Sequence, residues 1–224
     1  IAVQVGFNRR FDPSHRAVRD RVASGDVGDV HLCRITSRDP SPPPIAYIEV
    51  SGGIFNDMTI HDFDMARYVT GSEVVDVFAH GAVLVDPAIG EAGDFDTVVV
   101  TMRHANGAIT TIDNSRQAVY GYDQRVEVFG SAGLAMSDNP LTTTTVYRDA
   151  DGGRQSTVPY FFLDRYIPSY IAEWEAFRDL VRNGGPSPVS MADGRAPLAL
   201  GIAAATSARE GRIVRVDEVD EAGG

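Results

Sequence analysis

The sequence predicts an α+β domain: one large, mostly antiparallel open sheet with helices packed on one face. Three observations carry this reading. Apolar residues recur at helical spacing early in the chain and again at its end. Between Glu73 and Tyr147 the pattern changes to alternation with period two. Two turn signals, Asn106-Gly107 and Asp151-Gly152-Gly153, punctuate the alternating region as hairpin turns do.

Taken in order, Ile1 to Phe7 reads as a strand already under way, so a fragment of a larger protein is expected. Ser14 to Ser24 is a helix in which Val18 and Val22 share a face; Pro13 suits its first turn and Gly25 its stop. Val30 to Ser37 sets His31, Cys33 and Ile35 against Leu32 and Arg34, a strand pattern. Asp39 to Pro44 holds four prolines in six residues and must be a loop. Phe55 to Val69 predicts one continuous helix ended by Gly71, with Met58, Phe63, Met65, Ala66 and Val69 apolar. Strands follow over Val75–His80, Phe95–Met102, Ala108–Ser115 and Arg125–Phe129, then a hairpin of Thr142–Tyr147 with Gln155–Val158. Two helices close the chain, Ile167–Arg182 around Trp174 and Phe177 with Pro168 in its first turn, and Ala196–Arg209. The helices can cover only one sheet face, and the other also carries apolar residues. That predicts a homodimer or homotetramer built through the uncovered face.

Composition narrows the function. The 224 residues carry 31 acidic against 20 basic side chains, a net charge of −11, and every basic residue is arginine. With no lysine, this chain offers neither a Schiff base nor a P-loop lysine. The acidic balance argues against nucleic acid and against a polybasic membrane anchor. No apolar run approaches the ~20 residues of a membrane span. The single Cys33 excludes an internal disulfide and fits the reducing cytoplasm; within a strand it reads as an inert buried thiol. No Gly-rich phosphate-binding fingerprint occurs.

Chemistry concentrates between Ser51 and Asp64. Asp57 and His61 are four residues apart, so on a helix they share a face, with Asn56 beside them and Asp64 near it. Gly52-Gly53 lets a ligand or backbone approach the helix start. A carboxylate that orients an imidazole is the arrangement of a general base. The pair also suits a solvated helix face, and both residues are expected on the exposed side. A divalent metal on Asp57, His61 and Asp64, as in a sugar isomerase, and a non-catalytic binding or assembly module stay open. Arg9-Arg10 and Tyr120-Gly121-Tyr122-Asp123 are weaker clusters, and His15, His31, His80 and His104 read as isolated surface or sheet histidines.

These segments resemble the second half of the Gfo/Idh/MocA oxidoreductases. The resemblance rests on Val5 to Asp12, on the proline loop, on the long run Ser51 to Arg67 and on Tyr120 to Asp123, and it spans essentially the whole chain. Within the family the wording is most similar to inositol 2-dehydrogenases, although Ser37-Arg38-Asp39-Pro40 departs from the His-Arg-Asn-Pro of some of them. The resemblance implies a two-domain enzyme using NAD or NADP, with residues 1–224 as the substrate-binding and oligomerisation domain and 1–8 as the last part of a missing Rossmann domain. It implies a polyol or sugar substrate, with His61 the base and Asp57 holding substrate hydroxyls and the imidazole. It makes Asp39, Asn56, Tyr120 and Tyr122 substrate neighbours, Arg9 a cofactor neighbour, and no residue a metal ligand. The family's catalytic lysine would precede Ile1, so the chain alone is expected to be inactive.

Overall fold

The computed structural model describes residues 1–222. In chain order the elements are a 3-10 turn (Asn8–Phe11), α1 (Pro13–Ala23), β1 (Val30–Arg38), α2 (Ile45–Ser51), α3 (Ile54–Asp57), α4 (Ile60–Thr70), β2 (Val74–Ala82), α5 (Pro87–Glu91), β3 (Thr97–His104), β4 (Ile109–Ser115), β5 (Asp123–Gly130), β6 (Leu134–Ser137), β7 (Val146–Asp149), β8 (Gly152–Gln155), α6 (Phe162–Asn183), α7 (Met191–Glu210), β9 (Val214–Arg215) and α8 (Val216–Ala222). Seven strands form one sheet in the order β6-β5-β1-β4-β3-β2-β9, while β7 and β8 form a separate ribbon.

The topology follows from one crossover. After β1 the chain passes through α2 to α4 and enters β2 three places away. The antiparallel meander β2-β3-β4 then brings β4 back beside β1, parallel to it. Every other pairing in the sheet is antiparallel. The α+β expectation therefore holds, with helices on one sheet face.

That face and the helices make the core. Phe63, Met65, Ala66 and Val69 of α4 and Leu200, Ala203 and Ala204 of α7 meet Cys33, Ile35, Val77, Ala79, Val100, Met102, Ile112 and Val128 from the strands. Full burial of a side chain such as Phe63 contributes about 1.5–3 kcal/mol. The opposite face is open. Leu134, Phe129, Leu32 and Ile109 lie in register across β6, β5, β1 and β4, and all four are exposed.

Several local expectations are corrected. Ile1–Phe7 is not a strand: it pairs with no strand of the sheet, and Val5 N–H donates instead to the Val189 carbonyl at 3.0 Å. The single helix 55–69 is two, α3 and α4, broken at Met58–Thr59, where the Thr59 hydroxyl donates to Asn114 Oδ1 at 2.6 Å on the neighbouring β4. α6 begins five residues earlier than expected, which puts Pro168 inside it. α7 begins at Met191 because Ser190 and Asp193 form a reciprocal cap. The hairpin turn lies at Ala150-Asp151, with Gly152 and Gly153 already in β8. Trp174, around which the sequence places the first closing helix, is 70% exposed. Among the described residues, no helix is long and apolar enough to cross a membrane.

Candidate active site

The parallel pair sets the position of the site. β1 and β4 run side by side and end together, Arg38 opposite Ser115. The next residues, Asp39 and Arg116, therefore leave the sheet at one edge, where the Asp39 N–H donates to the Ser115 carbonyl at 2.9 Å. Here a cavity of about 570 Å³ opens, lined by Asp39, Arg116, the proline loop, Asp57, Met58 and His61. Its other wall is aromatic: Tyr122 from before β5, and Phe161, Phe162, Tyr166 and Tyr170 from the start of α6. Size and lining are those of a small-molecule site, mostly apolar with a few convergent polar groups.

Asp57 and His61 both face this cavity, but not as a helical pair. Asp57 ends α3 and His61 lies in the first turn of α4, on either side of the break. No hydrogen bond joins them. Asp57 accepts the Tyr47 hydroxyl on Oδ1 at 2.6 Å and the Arg116 guanidinium on Oδ2 at 3.2 Å. His61 stands edge-on to the Phe7 ring, and its Nδ1 is buried without a partner. Burial first, and the positive charge of Arg9 second, push its pKa down to about 3. The expectation that Asp57 favours the imidazolium is thus corrected: the ring is held neutral. The expected exposed location is corrected as well, since neither residue is exposed.

Asp64 leaves the site altogether. It is fully buried and bound to Arg10 through two oxygens, at 2.6 and 2.9 Å. A metal triad of Asp57, His61 and Asp64 does not form, and no other group of three or more potential metal ligands occurs among the described residues.

The remaining candidates divide. Asp39 lines the cavity, and its carboxylate makes no hydrogen bond among the described residues. Burial pushes its pKa up to about 6 against the pull of Arg9 and Arg116. Tyr122 lines the cavity and burial raises its phenol, so it stays a hydroxyl. Arg9 lines the cavity too, but its charge is already used: Nη1 donates to Asp62 at 2.5 Å and Nη2 to Ser37 at 3.3 Å. Asn56 and Tyr120 lie outside. Asn56 turns toward Gly201 of α7, because α3 packs there, and donates to the Gly52 carbonyl. The Tyr120 hydroxyl is occupied by Asp123 and Arg38 on the rim of the sheet. Tyr47, Arg116, Tyr166 and Asn8 complete the site without having stood out in the sequence. The run Tyr160-Phe161-Phe162 was the available signal for the aromatic wall; nothing local marks Arg116, which a long crossover brings to the site.

A family model for the GFO/IDH/MocA C-terminal domain matches residues 15–136. The chain belongs to the GFO/IDH/MocA family. Among its relatives in that family, a myo-inositol 2-dehydrogenase of Thermotoga maritima is 56% identical over 98% of the chain and 66% of its own length. A crystal structure of a probable dehydrogenase from Thermotoga maritima superposes with a TM-score of 0.96 at 55% identity, covering 98% of the chain and 66% of that protein. The scyllo-inositol dehydrogenase of Lactobacillus casei, crystallised with NAD(H) and scyllo-inositol, gives a TM-score of 0.87 at 27% identity, over 96% of the chain and 64% of that protein. The chain thus spans about two thirds of the GFO/IDH/MocA proteins it matches.

Proposed function

We propose that this chain is the substrate-binding part of an NAD-dependent inositol 2-dehydrogenase, which oxidises a ring hydroxyl to a ketone. The observation that carries this reading is the cavity at the ends of β1 and β4. A neutral imidazole, two carboxylates and a phenol converge there on a space suited to a polyol. The likeness to inositol dehydrogenases, one of them with NAD(H) bound, supports the same substrate and cofactor class.

In this reading His61, kept neutral by burial, accepts the proton of the reacting hydroxyl. Asp57 and Asp39 accept hydrogen bonds from neighbouring hydroxyls, and Tyr122 and Tyr166 exclude water from the ring's faces. A nicotinamide, when bound, supplies the hydride acceptor. The residues present fit its polar end: Asn8 lines the cavity and carries a buried Nδ2 without a partner, a donor awaiting a carbonyl or hydroxyl. Arg9, already paired, shapes the wall and lowers the His61 pKa instead of meeting a phosphate.

The exposed row Leu134, Phe129, Leu32, Ile109 supports a homo-oligomer formed through the open sheet face. The uncovered stripe Leu163, Ile167, Ile171 and Trp174 on α6 supports a nucleotide-binding domain of the same protein lying against the cavity. A free, buried Cys33 fits a cytoplasmic location. The test is to incubate the complete enzyme with NAD or NADP and with myo-inositol, scyllo-inositol or glucose, and to follow the reduced cofactor. Reduction with an inositol is expected; none with any inositol sinks the reading.

A further inference from the structure

We infer that Arg116 is a positioning residue: it fixes the Asp57 carboxylate in the cavity and ties it to the start of α3 through Asp94. The kinetic part of this inference rests on the dehydrogenase reading; the geometric part does not.

Arg116 directly follows β4, and its side chain is 1% exposed. One nitrogen, Nη1, donates to Asp57 Oδ2 at 3.2 Å, and the other, Nη2, donates to Asp94 Oδ2 at 3.2 Å. Asp94 in turn accepts the N–H of Ile54, the first residue of α3, on Oδ1 at 3.0 Å. One guanidinium thus reaches both ends of α3, Ile54 by way of Asp94 and Asp57 directly. Gly53 makes this possible. Its φ is +81°, and a Cβ there would lie 2.9 Å from Asp94 Oδ1.

The bridge matters because α3 cannot hold itself. A four-residue turn lies far below the length at which a helix is stable alone. The direction of Asp57 is therefore set by its two partners. Tyr47 is half exposed on the cavity rim and can swing away when a substrate hydroxyl takes its place on Oδ1. Arg116 holds the other oxygen from the protein side and stays. Two carboxylates against one guanidinium leave negative charge for an incoming hydroxyl. A lysine would keep the cation but could not span both carboxylates, since it lacks the planar fork.

The test compares Arg116→Lys, Asp57→Asn and the double variant in the complete enzyme. Arg116→Lys is expected to raise the inositol KM about ten- to hundredfold, the cost of a misplaced group near the chemistry. The NAD KM should stay within about twofold, because the bridge touches only the polyol side. The double variant should bind inositol no worse than Asp57→Asn alone, since Arg116 acts through Asp57. Additive losses, or equal rises in both KM values, overturn the inference. A crystal structure of Arg116→Lys needs no turnover: the Asp57 carboxylate should leave its present position, and an unmoved carboxylate overturns the inference. If the unaltered enzyme oxidises no polyol, the dehydrogenase reading falls and this crystallographic result alone decides. Should Arg116→Lys fail to fold, Asp94→Asn replaces it in both arms: it keeps Oδ1 for the Ile54 N–H, removes the charge that Arg116 meets, and should raise the inositol KM in the same direction.

Discussion

At the scale of single residues, burial decides what each titratable group can do. With its pKa pushed down to about 3, His61 is neutral across the neutral range, so no activity limb near neutrality belongs to it. His61→Ala is expected to lower kcat about 10²–10⁴-fold, the usual contribution of a positioned base. In the proposed enzyme a limb near pH 6 should belong to Asp39, which is charged above that pH and neutral below it. The inositol KM should rise as pH falls through about 6, and Asp39→Asn should flatten that profile; a limb that survives the substitution refutes the assignment. His15 reports through stability. Burial lowers its pKa to about 4, so below 6.5 the unfolded chain binds a proton that the folded one refuses. Its contribution is present above pH 6.5 and is lost as pH falls toward 4. Relative to the unaltered protein, His15→Asn should gain about 1.4 kcal/mol per pH unit of acidification across that window. Denaturant melts at several pH values would measure the slope, and a constant difference between the two proteins contradicts it. His61, Asp57, Asp39 and Tyr122 were legible as candidates because they sit in recognisable wording, and all four line the cavity. Arg116 and Tyr47 were not, because what places them is contact across the chain.

At the scale of elements, long periodic segments were legible and interruptions were not. Alternation located β2 to β5 within two or three residues, since one face of each strand is buried. The break between α3 and α4 escaped because its cause, the Thr59 bond to Asn114, spans 55 residues. The short α2 and α5 carry too few turns for a periodic signal. Gly121 shows how a connection aims a site residue. Its φ is +126°, and a Cβ would come within 2.4 Å of Val158 Cγ2 and 3.1 Å of the Pro159 carbonyl. The next residue, Tyr122, donates its N–H to that same carbonyl and faces the cavity. Gly121→Ala is therefore expected to cost about 1–3 kcal/mol, the range for a strained backbone position, and to weaken inositol binding. A thermal melt and an inositol titration of the variant check both effects; an unchanged melting temperature contradicts the first.

At the scale of the whole molecule, the open sheet face carries an uncovered apolar row. Phe129 pairs with Leu32 on one side and Leu134 on the other, so one charge placed there interrupts the whole apolar row. Phe129→Glu should convert the proposed oligomer to a smaller species in sedimentation at micromolar concentration, while leaving the fold intact because the side chain already faces outward. An unchanged sedimentation coefficient would mean that copies meet elsewhere.

α6 joins that scale to the cavity. At 22 residues it is a rod of about 33 Å, packed on the body mainly through the 3-10 turn Asn8–Phe11. Its first turns carry Tyr166 and Tyr170 of the cavity wall, and an adjacent side carries Leu163, Ile167, Ile171 and Trp174. The stripe and the aromatic wall thus share the same turns of one rod, and whatever docks on the stripe bears on the turns that carry Tyr166 and Tyr170. Covering the stripe and drying the cavity should therefore register as one event, with a single negative heat-capacity change as its calorimetric mark.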